Sequence, residues 1–140
     1  MTPIPSQPLV ASIIMAAGRG SRMKGYDGNK TLLPLKPEGS IFDGSHPILM
    51  HLMENLPTGP KALIVNHCQK EVRAATARTG VEYYEQPVLN GTGGAILAAG
   101  DFVAARNADR VIITMGDVPF VKQSTYARLV DGLDDHDLTI

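Results

Sequence analysis

The chain has 140 residues, 44% hydrophobic and 19% charged, with 13 Lys+Arg against 14 Asp+Glu. That composition suits one globular domain and excludes wholesale disorder, and a net charge of −1 gives no global reason to bind nucleic acid or an anionic membrane. A single cysteine, Cys68, excludes an internal disulfide framework and a Cys-rich zinc centre.

Pro3, Pro5, Ser6 and Pro8 are poor element formers, so residues 1–8 are expected to be a flexible leader, with one domain over 9–140. The apolar stretch Leu9–Ala17 is too short for a bilayer, which takes roughly 20 residues. No Lys or Arg precedes it as in a signal peptide, so the expected address is the cytoplasm. Leu9–Met15 then reads as a first buried strand. Gly18–Ser45, with six glycines and two prolines, reads as a long functional loop.

Helical spacing over His46–Leu56 and Lys70–Arg78 brackets a strand at Ala62–Val65. A strand at Val81–Tyr84 precedes a second glycine-rich loop, Gln86–Gly94. Thr92–Ala105 predicts a helix, Val111–Met115 a strand and Ser124–Leu133 a helix. Asp137–Ile140 resembles the start of a further strand, so the sheet is expected to be incomplete at its C-terminal end. Alternating strands and helices predict a three-layer, Rossmann-like α/β fold with a mostly parallel sheet. Gly18, Gln86 and Gly116 each follow a strand end, which places all three at the edge where doubly wound sheets bind ligands.

Three segments carry the chemistry. Met15-Ala16-Ala17-Gly18-Arg19-Gly20-Ser21-Arg22-Met23 follows the first strand, and its small residues let backbone N–H groups close on an anion. Arg19, Arg22, Lys24, Lys30 and Lys36 face only Asp27 between Gly18 and Lys36, a local balance suited to a polyphosphate. Gly116-Asp117-Val118-Pro119 after Met115 offers a carboxylate to a hard divalent cation. Gln86 can read a base edge, and Gly91-Thr92-Gly93-Gly94 predicts a helix start capped by Thr92. A dinucleotide fingerprint fails at Met23 and Asn66, and a P-loop fails at Tyr26 and Asp27.

In order and spacing these segments resemble the sugar-nucleotide pyrophosphorylase family of nucleotidyltransferases, most nearly the uridylyltransferase domain of bifunctional N-acetylglucosamine-1-phosphate enzymes. Met15 stands where that family has Leu, and Asn29 where it has Pro before the lysine. The resemblance implies transfer of a nucleoside monophosphate from an NTP, UTP favoured, to a sugar 1-phosphate, N-acetylglucosamine 1-phosphate favoured. It implies Mg²⁺ on Asp117, triphosphate neutralisation by Arg22 and Lys30, and a base held by Gln86, Gly91 and Thr92. Met15 to Arg22, Met115 and Gly116 complete the implied nucleotide site. The family domain continues beyond the position of Ile140, so a partner chain or self-association covering the sheet is an alternative expectation. A module binding Mg²⁺–NTP without turnover, and a cytidylyl- or molybdopterin guanylyltransferase relative, stay open. No nucleic-acid or membrane partner is implied.

Other residues carry ordinary expectations. Adjacent His67 and Cys68, read as strand residues, should point opposite ways. His46 and His51, five apart on one predicted helix, should not share a metal. The acidic run Asp131–Asp137 is expected to be solvated, and Tyr83 and Tyr84 to pack in a strand.

Overall fold

The computed structural model describes residues 7–140. Most of the expected leader, residues 1–6, lies outside the described residues. Strands β1 (Val10–Met15), β4 (Lys61–Val65), β5 (Glu82–Glu85) and β6 (Arg110–Met115) form one parallel sheet in the order β5-β4-β1-β6. The chain first adds strands on one side of β1 and then returns to place β6 on the other. That reversal opens a crevice at the carboxyl ends of the strands.

Period-two alternation divides the core between the two faces of the sheet. Ile14, Leu63 and Val65 pack against Leu49, Leu52 and Met53 of α1 (Ile48–Asn55), Val72 of α2 (Gln69–Thr76) and Tyr126 of α5 (Gln123–Asp131). Ala11, Ile13, Ala62 and Ile64 meet Ala95 of α3 (Thr92–Ala98) and Phe102 of α4 (Gly100–Arg106). The three layers are therefore those the sequence predicts. Tyr83 and Tyr84 join opposite core faces, as expected of strand packing.

Three expectations are corrected. The loop predicted at Gly18–Ser45 contains an antiparallel ribbon, β2 (Pro34–Glu38) with β3 (Ser40–Pro47), which closes on Gly39 at φ 78°. Two prolines hide β2 from a propensity reading, but a two-stranded ribbon leaves outward N–H positions that proline can occupy. The helix predicted at Thr92–Ala105 is two helices that break at Ala99 (φ −93°, ψ 8°), just before Gly100, whose lack of a side chain weakens a helix interior. Residues 137–140 form no strand: Thr139 Oγ1 donates to Leu129 O of α5, 2.7 Å away, and this holds the segment against that helix. Within the acidic run, Asp131, Asp134, Asp135, His136 and Asp137 are exposed, as expected, and Asp134 pairs with Arg110.

Among the described residues, no helix is long and apolar enough to cross a membrane.

Candidate active site

A cleft of about 220 Å³ opens at the carboxyl ends of β1 and β6. That is below the ~300–1,000 Å³ of typical small-molecule sites, as befits a site open along one side. Its lining includes Met15, Ala16, Ala17, Gly18 and Arg19 from the first glycine turn, and Lys30 from the segment after it. Gln86, Gly91 and Thr92 line it from the second turn, and Met115 and Asp117 from the end of β6. Eleven of the fifteen residues expected at a nucleotide site thus share one cavity. Thr31, Leu89 and Ala95, which the sequence did not single out, complete the lining.

The four others lie beside it. Gly116 is buried under the floor, its N–H donating to Met15 O at 2.9 Å. A Cβ there would sit 2.9 Å from Met15 O and 3.0 Å from the Thr31 methyl, so glycine permits this close approach of chain segments. Gly20 (φ 61°), Ser21 and Arg22 form a turn closed by Met23 N–H donating to Gly20 O, and Arg22 is exposed on it. Gly18 differs from Gly116: a Cβ added there meets nothing within 4 Å. The chain itself does not require glycine at this position in the cleft wall.

Lys30 reaches across the cleft, with Nζ 2.5 Å from Asp117 Oδ2, both side chains about a third exposed or less. Behind it, Asn29 is buried and its side chain makes four hydrogen bonds. Its Nδ2 donates to Ala16 O (2.7 Å) and His67 O (3.0 Å), and its Oδ1 accepts from Thr31 N–H (3.0 Å) and Oγ1 (2.7 Å). Asn29 therefore ties the ends of β1 and β4 together and caps the 3-10 turn Lys30–Leu32 that presents the lysine. A short polar residue just before a charged one was the available signal for this role.

On the opposite wall Gln86 is buried and its backbone is fixed on both sides. Its N–H donates to Val65 O (3.0 Å) and its carbonyl accepts from Asn66 Nδ2 (2.7 Å). Its side-chain Nε2 donates to Asn90 Oδ1 (3.1 Å) and Gly91 O (3.0 Å), which curls the 86–91 loop around it. Both amide hydrogens are thereby used and the amide oxygen keeps its accepting capacity. The residue flanking α3 at its start is Gly91 (φ 94°), not Thr92, and no side chain caps that helix. A Cβ at Gly94 would lie 1.7 Å from Asn90 Oδ1, so glycine there makes room for the amide that engages Gln86.

His67 and Cys68 do not point apart. Both lie beyond the end of β4, Cys68 in the left-handed region (φ 52°), and Sγ comes within 3.3 Å of His67 Nε2. No reactive thiolate follows from this, because burial, then the negative charges of Glu71 and Asp27, push the thiol's pKa up. His46 and His51 also meet, because His46 belongs to β3 and turns at φ 61° rather than continuing the helix.

A sequence profile of the family described as MobA-like NTP transferase domain matches residues 12–140. Among curated proteins, the bifunctional protein GlmU of Sphingopyxis alaskensis is 34% identical over 131 residues, 91% of this chain and 27% of that protein. GlmU of Halorhodospira halophila is 35% identical over 130 residues, 89% of this chain and 25% of its own. The chain thus spans about a quarter of the length of these relatives. Of solved structures, a nucleotidyl transferase from Methanothermobacter superposes with a TM-score of 0.71 at 22% identity, covering 88% of this chain and 57% of that one. Rv0371c of Mycobacterium tuberculosis in complex with manganese superposes at 0.63 and 21% identity, covering 89% and 59%. At these identities the two structures speak for the fold alone.

Proposed function

The chain belongs to the MobA-like NTP transferase domain family, and from that premise we propose that its cleft binds a nucleoside triphosphate for nucleotidyl transfer to a sugar 1-phosphate. The observation that carries the proposal is the meeting, in one cavity, of a glycine turn, the Lys30–Asp117 pair and the buried Gln86. In this reading the base lies against Gln86, Gly91 and Thr92, and the triphosphate runs over residues 15–19 toward Lys30. The exposed Arg19 and Arg22 add positive charge along the path.

Gln86 supports a particular base. With both amide hydrogens engaged, it offers a carbonyl oxygen, which accepts from the imide N–H of uracil. Cytosine has an acceptor at that ring position. UTP is therefore the favoured donor, and the likeness of Gln86 and Gly91-Thr92-Gly93 to the uridylyltransferase branch favours N-acetylglucosamine 1-phosphate as acceptor. Guanine also presents a ring N–H, so GTP is the comparison to include.

Asp117 suits a divalent cation such as Mg²⁺. Its carboxylate sits in the cleft wall about a quarter exposed, and a hard cation of this kind keeps several waters and needs few protein ligands. When bound, such an ion supplies charge neutralisation at the phosphate oxygens. Asp117 would then exchange its contact with Lys30 for the ion, which frees the ammonium group for the triphosphate. An oxygen of the sugar phosphate forms a bond to the α-phosphorus, the α–β bridging bond breaks, and pyrophosphate leaves with its electron pair. The nucleophile is a phosphate monoester with a second pKa of about 6, so it arrives deprotonated and needs no general base. The chain's part is positioning and neutralisation.

Pyrophosphate release tests the proposal, with Mg²⁺, each NTP in turn and N-acetylglucosamine 1-phosphate. Release that requires both UTP and the sugar phosphate is the expected result. Saturable UTP binding without release would reduce the reading to a nucleotide-binding module.

A further inference from the structure

Away from the cleft, three side chains converge where the β2–β3 ribbon joins α1. His51 and Glu54 stand three apart on α1 and so rise from one helical face. His46 precedes the helix, and its left-handed backbone turns the ring back toward that face. His46 Nε2 lies 3.1 Å from His51 Nδ1. Glu54 Oε2 lies 3.6 Å from the first nitrogen and 3.7 Å from the second.

The same three atoms define all three separations, and the triangle is nearly equilateral. Metal bonds of about 2.0–2.2 Å opened at the tetrahedral angle set donor atoms roughly 3.3–3.6 Å apart. The triangle has nearly that size. A hydrogen bond between the rings accounts for its short edge only. The carboxylate oxygen is beyond hydrogen-bond reach of both rings and almost equally far from each, which is the place of a third ligand.

We propose that His46, His51 and Glu54 bind one zinc-class divalent ion, separate from any ion held by Asp117. Two imidazole nitrogens and one carboxylate oxygen suit Zn²⁺, Co²⁺, Ni²⁺ or Cu²⁺, whereas Mg²⁺ prefers oxygen throughout. None of the three residues lines the nucleotide cleft. Side-chain exposures of 33%, 34% and 58% leave the ion's remaining position open to water. The ion ties the ribbon to the helix. His51 also borders a surface hollow with Pro119 to Lys122, so the site abuts the segment that follows Asp117.

The chain, stripped with chelator, would be titrated with Zn²⁺ by calorimetry and with Co²⁺ by visible absorption. One Zn²⁺ per chain is expected, displacing Co²⁺ from a four-coordinate spectrum and raising the melting temperature. His51→Ala and Glu54→Gln should each weaken Zn²⁺ binding at least tenfold, since losing only a hydrogen-bond support to a ligand costs about 10–100-fold. Asp117→Ala and Cys68→Ser should leave it unchanged. Glu54 is the most exposed of the three, so Glu54→Gln keeps the test valid if a histidine variant unfolds. Absence of a one-to-one phase, affinity unchanged in Glu54→Gln, or loss of binding in Asp117→Ala would each overturn the proposal.

Discussion

The two walls of the cleft are built on different plans. On the wall proposed for the base, one buried residue, Gln86, both holds the 86–91 loop in shape and lines the cleft. On the wall proposed for the phosphates these tasks fall to neighbours: Asn29 is buried and holds the frame, while Lys30, a third exposed, lines the cleft. The physical reason is charge. A neutral amide can be buried when its hydrogen bonds are met, but an ammonium group must stay near water or a counter-ion. Stability and binding should therefore separate on the phosphate wall and travel together on the base wall.

The sharpest break of that comparison is Asn29→Ala. It strands Ala16 O, His67 O and Thr31 N–H, and should cost about 3–5 kcal/mol in a denaturant melt, since each unsatisfied buried group costs roughly 1–3 kcal/mol. Lys30→Ala should do the opposite. Triphosphate affinity should fall about 10–100-fold, from the ~1.5–3 kcal/mol of a charged hydrogen bond, with uridine affinity unchanged in calorimetry. Stability should move by no more than about 1 kcal/mol, because its partly exposed pair with Asp117 is worth little.

Gln86→Ala should lower both quantities at once: about 1–3 kcal/mol of stability, from Asn90 and Gly91 losing their donor, with lost preference for UTP over CTP. If stability alone fell, Gln86 would be a loop clip with no base contact. The smallest expected change is Gly18→Ala. With no atom within 4 Å of the new Cβ, stability should stay within about 0.5 kcal/mol, while UTP affinity drops several-fold as the methyl group intrudes on the ligand.

The same division explains what the sequence could tell. Four parallel strands were legible because Leu9–Met15, Ala62–Val65, Val81–Tyr84 and Val111–Met115 are apolar, β-branched or aromatic runs, and burial on both faces leaves that signature. The ribbon was not, because an exposed strand such as Pro34–Glu38 carries no apolar alternation. Lys30, Gln86 and Asp117, which stand in motifs, were singled out by the sequence and line one cleft. Asn29, Leu89 and Ala95 were missed, since their roles depend on partners far along the chain or on packing that no local pattern records. The meeting of the two histidine rings was hidden for a different reason. The boundary of α1 falls at Ile48, so His46 is free of helical geometry, and a helix end misplaced by two residues conceals the contact between the rings.

The central claim is that a nucleoside triphosphate occupies this cleft. A thermal melt of the chain with Mg²⁺ and each of UTP, CTP, GTP, ATP and dTTP tests it most directly. UTP at 100 times its dissociation constant should stabilise the folded chain by about 2.7 kcal/mol, and CTP at the same concentration by clearly less. A cooperative transition that no nucleotide moves would contradict the account.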